Sequence, residues 1–146
     1  YKRQPEWYFE EGSSIRNFTV RHCTFTGNNH PNIVIGASPL SGVPGTKPIV
    51  SDAPENVSHD STKILIEGNS FSGFGTTPSV FGWNWPVGPA ITITSATDVV
   101  IRDNLFGPLA ESAPKGTPKV LVEKSNDVQI INNKGISPEE TTVRER

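Results

Sequence analysis

Eight residues recur four times in this chain, and any fold must first accommodate that recurrence. The copies are Phe18-Thr19-Val20-Arg21-His22-Cys23-Thr24-Phe25, Ile64-Leu65-Ile66-Glu67-Gly68-Asn69-Ser70-Phe71, Val99-Val100-Ile101-Arg102-Asp103-Asn104-Leu105-Phe106 and Val128-Gln129-Ile130-Ile131-Asn132-Asn133-Lys134-Gly135. Aligned in columns, position one reads Phe, Ile, Val, Val and position three Val, Ile, Ile, Ile. Position six reads Cys, Asn, Asn, Asn, and position eight Phe, Phe, Phe, Gly. The copies are spaced 46, 35 and 29 residues apart. Fixed columns with variable spacing describe a stacked architecture whose length differences sit in loops.

Positions one and three lie two residues apart, so on a strand they share one face, and both are apolar in every copy. A bend must follow, where Asn hydrogen-bonds neighbouring backbone and tolerates turn geometry. With coils stacked at about 4.8 Å, the Asn column becomes a ladder and the Phe column an internal aromatic stack. A second strand follows each of the first three copies: Ile33-Val34-Ile35, Ile91-Thr92-Ile93 and Val120-Leu121-Val122, apolar at alternate positions in the first and third and at both outer positions in the second. Two strands per coil, each parallel to its counterpart one coil on, give an all-β chain, a right-handed parallel β-helix of about three to four coils. A sandwich with regularly spaced turns is the alternative, but it does not call for like residues in register. At position four, Arg21, Glu67 and Arg102 then place opposite charges side by side on adjacent coils.

The 146 residues form one domain by length, and 34% hydrophobic content suits a narrow solenoid core better than a compact globule. Thirteen Gly and thirteen Pro fit many turns and long loops. A net charge of −2 without a basic stripe argues against nucleic acid, and no apolar run is long enough to span a membrane as a helix. No signal peptide pattern is present. One Cys permits neither an internal disulfide nor a Cys-based metal site, and Cys23 reads as a small buried residue at the bend. Two glycosylation triplets, at Asn17 and Asn56, are of a kind common by chance. The chain lacks Met, begins at Tyr1 and enters its first octet with no capping element, so further coils are expected before it, the chain being a C-terminal or processed piece of a longer one. Residues 136–146, rich in charge and containing Pro138, read as a tail or cap where the pattern stops.

Candidate chemistry lies in the loops. Residues 1–14 carry Trp7, Tyr8 and Phe9 beside Glu10 and Glu11. Aromatic faces stack on the apolar face of a sugar, while carboxylates take hydroxyls or act as acid and base; a loop merely packed on the solenoid is the alternative. The insertion from Pro39 to Ser61 carries four Pro and ends near His59-Asp60, whose side chains as sequence neighbours point apart. The insertion from Ser72 to Pro89 carries Phe74, Phe81, Trp83 and Trp85, which either bury against the coils or, at Trp83 and Trp85, offer a sugar platform. The third insertion, Gly107 to Pro118, is a plain connector. Asp98 and Asp127 each precede a strand, where turn formation explains them. No phosphate-binding Gly motif, zinc-protease motif or nucleophile elbow occurs, so no metal or cofactor is expected. Spacing alone assembles no active site.

The run from Trp7 through Glu10-Glu11-Gly12 into Ile15-Arg16-Asn17-Phe18-Thr19-Val20, with Val57-Ser58-His59 ahead of Lys63 to Phe71, resembles a segment of glycoside hydrolase family 110. The likeness covers roughly residues 7–71. It implies a parallel β-helix in an inverting, exo-acting α-1,3-galactosidase, with terminal α-galactose as substrate and an extracellular or periplasmic bacterial location. It also implies that one of Glu10 and Glu11 lies near the sugar, with Trp7. The family's adjacent-Asp phrase, which supplies catalytic carboxylates, has no counterpart here and would lie before Tyr1. Inverting hydrolysis needs two carboxyls about 6.5–9.5 Å apart, so the chain alone is expected to be inactive. Two alternatives stand beside this reading: a pectate-lyase-like enzyme using Ca²⁺, for which no Asp cluster is visible, and a non-catalytic structural or sugar-binding module.

Overall fold

A computed structural model describes residues 15–27, 32–35, 61–74, 89–111, 113 and 115–145. The chain is all-β, and every pairing among the described residues is parallel. The strands are β1 (Arg16–Arg21), β2 (Thr24–Thr26), β3 (Ile33–Ile35), β4 (Ser61–Glu67), β5 (Ser70–Ser72), β6 (Ile91–Thr94), β7 (Ala96–Arg102), β8 (Leu105–Phe106), β9 (Val120–Ile131) and β10 (Thr141–Glu145). A 3-10 turn, Pro138–Glu140, precedes β10.

The repeat columns are the sheet registers. Phe18 pairs with Ile64, Ile64 with Val99 and Val99 with Val128; Val20, Ile66, Ile101 and Ile130 align likewise. The second strands follow suit, Ile33 with Ile91 and Ile91 with Val120. Strand β9 joins the two series, its first half pairing β6 and its second half β7. The short strands β2, β5 and β8 form a third row, with Phe25, Phe71 and Phe106 in register. The stretch read as a tail carries one more strand: β10 continues the second series, Thr141 opposite Val120 and Val143 opposite Val122. Two Thr and one Val extend that column with less hydrophobicity than Ile-Val-Ile, which hid it in the sequence.

Burial follows the alternation. Ile64, Ile66, Val99, Ile101, Ile91, Ile93, Val120 and Val122 are buried in one core with Phe71 and Phe106. The three Phe rings stack face to face, with 5.1 Å between centroids at each step. Phe74, first of the aromatics in its insertion, is also buried. The outer members of the columns, Phe18, Val20, Phe25, Val128 and Ile130, are only half-buried. Ile130 therefore departs from the full burial expected of its column. Apolar residues inside a stack are covered from both sides, whereas these are covered from one among the described residues.

Backbone geometry repeats as faithfully as the side chains. The residue before position one is left-handed in all four copies: Asn17 (φ 58°), Lys63 (57°), Asp98 (62°) and Asp127 (52°). Asp98 and Asp127 thus lie inside β7 and β9 rather than ahead of a strand. Each left-handed residue takes up one extra position, so buried residues fall three apart, Ser61 to Ile64 and Ala96 to Val99, before alternation resumes. Position five is left-handed too, at His22, Gly68, Asp103 and Asn132. The bend therefore lies one residue before the Asn column, which frees the Asn side chains to point inward.

Inside, they form the expected ladder. Asn69 Oδ1 accepts from Cys23 N–H at 2.9 Å, Asn104 Oδ1 from Asn69 N–H at 2.9 Å, and Asn133 Oδ1 from Asn104 N–H at 3.0 Å. Each Asn Nδ2 donates to a position-three carbonyl of the preceding copy: Asn69 to Val20, Asn104 to Ile66 and Asn133 to Ile101, all at 2.9–3.0 Å. A buried amide costs free energy unless paired, and here each amide is paired on both of its ends.

Candidate functional site

The residues that the sequence put forward for chemistry, Trp7, Glu10, Glu11, Trp83 and Trp85, all lie outside the described residues, as does His59-Asp60. The site reached here is built instead from the outer face of the sheet β1-β4-β7-β9.

Cys23 is exposed, not the buried residue its column suggested. Its thiol donates to Arg21 O at 3.3 Å. It follows the edge strand β1, so among the described residues it is covered from one side only, unlike Asn69 and Asn104.

Among the described residues, Glu67, Glu140 and Glu123 are each held in an ion pair. Glu67 accepts from Arg21 Nε through Oε2 and from Arg102 Nε through Oε1, each at 2.8 Å. The position-four charges are thus paired across three adjacent strands. Desolvation pushes the Glu67 carboxyl up, and the hydrogen bonds and charges of Arg102 and Arg21 outweigh it, holding it below the ordinary value. Glu140 sits 3.1 Å from Lys119 Nζ and accepts from Ser137 N–H at 3.0 Å. Desolvation again raises its carboxyl, and the Ser137 and Lys119 contacts more than reverse the effect. Glu123 pairs with Arg144, tying β10 to β9.

Beside the Glu67 triad lies a shallow depression lined by Asn17, Thr19, Lys63, Leu65, Asp98, Val100 and Arg102, with Ile64 beneath. Its polar rim comes from the left-handed column, Asn17, Lys63 and Asp98, and from Arg102. Its floor comes from position two, where Leu65 stands next to Val100. A left-handed residue turns its side chain out of the pleat, so the same backbone feature that corrects the register builds the rim. The signal was present in the sequence: Asn and Asp tolerate left-handed geometry better than other residues, and three of the four positions are Asn or Asp.

An apolar floor ringed by hydrogen-bonding groups suits a polyhydroxylated ligand. Among the described residues, Asp98 is the single carboxylate lining the depression. Among the described residues no group of three or more His, Cys, Asp or Glu is placed to hold a metal ion. No helix among them is long and apolar enough to cross a membrane. Comparison of the chain with family models, with curated proteins and with solved structures finds no match.

Proposed function

We propose that the parallel sheets are successive coils of a right-handed parallel β-helix, three to four in number, and that this solenoid is part of a carbohydrate-active protein whose outer face binds saccharide. One observation carries the reading: the depression sets Leu65 and Val100 as an apolar floor within a rim of Asn17, Lys63, Asp98 and Arg102. A sugar ring has one face of C–H groups and an edge of hydroxyls, and that division matches the floor and the rim. The coil assignment is supported by β9, which belongs to both strand series, and by displacements of one whole copy at every step of the register.

The resemblance to glycoside hydrolase family 110 narrows the saccharide to terminal α-galactose, with Trp7 and one of Glu10 and Glu11 at the sugar. It makes a location outside the cytoplasm the natural one. With Asp98 alone in the depression and no adjacent-Asp phrase in the sequence, the chain binds without hydrolysing.

The test is titration with an α-1,3-galactosyl oligosaccharide, followed by Trp fluorescence and by the backbone amide signals of β4 and β7. Saturable amide shifts around Leu65 and Val100, diminished in Leu65→Asp and without release of galactose, are expected. The fluorescence change should vanish in Trp83→Ala. Absence of saturable shifts with this and other neutral oligosaccharides removes the sugar-binding reading, and release of galactose by the chain alone overturns the inactive assignment.

A further inference from the structure

Residues 136–145 follow the fourth octet and lie against β9 without one fully buried side chain among them. Ile136 packs partly on the core, and Val143, opposite the buried Val122, is itself 40% exposed. What fixes this segment is polar. Lys119 N–H donates to Glu140 O at 2.7 Å, while Lys119 Nζ donates to Gly135 O at 2.7 Å and stands 3.1 Å from Glu140 Oε2. One lysine thus grips the turn that leads into β10 both at its start and at its end.

Glu140 closes the turn from within. Its Oε1 accepts from Ser137 N–H at 3.0 Å and from Ser137 Oγ at 3.2 Å, a capping box around Pro138–Glu140. The Lys119 side chain is only 9% exposed, and a charge that buried requires a counter-charge. Among the described residues, Glu140 is the carboxylate within ion-pair distance of it. The other charged groups of this region stand apart from that pair. Glu139 and Lys134 are exposed, Glu123 of β9 pairs with Arg144, and Glu145 lies opposite Ser125 where the register passes over Lys124.

We propose that residues 136–145 are an acid-opened strap, latched by Lys119 and Glu140, that lifts from β9 as a unit while the sheet β1-β4-β7-β9 stays folded. Protonation of Glu140 removes the charge opposite Lys119, whose ammonium then regains full solvation only by parting from the turn. The direction follows from the contacts. Ser137 N–H and Lys119 outweigh desolvation and hold Glu140 below its ordinary value of 4.5, so the closed form binds a proton less readily than the open one. The latch is complete above about pH 4.5 and weakens as the pH falls through the lower closed-state value. Each unit of that depression is worth about tenfold in the opening constant. Opening takes Pro138 and Thr141 away from the wall of a concavity that also contains Ile130 and Asn133, and it uncovers the β9 edge from Val120 to Glu123. Acidity thereby sets access to both.

Amide exchange of the 146-residue chain, followed residue by residue from neutral pH to about pH 3 and corrected for the intrinsic rate at each pH, tests it. The probes are Lys119 N–H and Ser137 N–H, whose acceptors both belong to Glu140. The reference is Leu105 N–H, which donates to Asn69 O at 2.8 Å inside the stack. Protection at the two probes should fall by about tenfold or more on acidification while that of Leu105 holds. In Glu140→Gln the probes should already show the acid level of protection at neutral pH, with little further change. Three results with the unaltered chain overturn the proposal: probes that stay protected in acid, probes that lose protection together with Leu105, or probes unprotected at neutral pH. A Glu140→Gln chain with an unaltered pH profile overturns it too, since the loss would then belong to Glu123 and Arg144.

Discussion

Asn104 is the centre of the ladder, and its replacement by Ala tests how much of the fold rests on that column. Its side chain is 2% exposed and makes four hydrogen bonds. Oδ1 accepts from Asn69 N–H and from Asn69 Nδ2, while Nδ2 donates to Ile66 O and to Asn133 Oδ1. Truncation strands two buried donors, Asn69 N–H and one Asn69 Nδ2 hydrogen, and takes the side-chain donor from Ile66 O. Asn133 Oδ1 keeps the Asn104 backbone N–H. An unsatisfied buried polar group costs about 1–3 kcal/mol, so even the low end for both donors gives about 2 kcal/mol, and about 3–5 kcal/mol is expected. That is a large share of the roughly 5–15 kcal/mol that holds a domain together. The control is Asn133→Ala, which breaks equivalent bonds at a half-buried position where water replaces them, at about 1–2 kcal/mol. Urea unfolding followed by circular dichroism measures both. If Asn104→Ala costs no more than Asn133→Ala, the ladder is a consequence of the stack and not one of its supports.

Lys63 holds a left-handed conformation (φ 57°) on an exposed position, so Lys63→Asn should raise the unfolding free energy by about 0.5–1 kcal/mol, and Lys63→Val should lower it. Gly135 has φ 76°, and a Cβ there would lie 1.9 Å from Phe106 O; at Gly116, φ 87°, a Cβ would meet nothing within 4 Å. Gly135→Ala should therefore cost well over the roughly 1 kcal/mol of Gly116→Ala, read by the same unfolding experiment. Both Glu67 and Glu140 are held below their usual value of 4.5, so they bind protons less readily folded than unfolded. Their contribution is present above about pH 4.5 and is lost as the pH falls through their lower native values. Acid titration of stability should show this loss, and Glu140→Gln should flatten it; an unchanged profile would mean that Lys119 and Ser137 do not hold that carboxylate.

The octet decided much by itself. Apolar positions one and three, Asn at six and Phe at eight specify which residues face inward and which strands pair, because a one-residue slip would turn every side chain to the wrong face. The registers, the Asn ladder, the Phe stack and the Arg21-Glu67-Arg102 row follow from that pattern alone. Tertiary structure decided what depends on position in the stack. Cys23 and Asn69 occupy the same column, yet one is exposed and the other buried, and Ile130 is less covered than Ile101, because burial depends on a neighbouring strand that a single octet does not encode. Strand β10 was hidden because Thr141-Thr142-Val143 is weakly apolar and becomes a strand by pairing with β9. The depression was hidden for a related reason. Its rim comes from residues up to 85 positions apart, Asn17 to Arg102, and the left-handed backbone of Lys63 is imposed by the strands paired on either side of β4, against the preference of lysine itself.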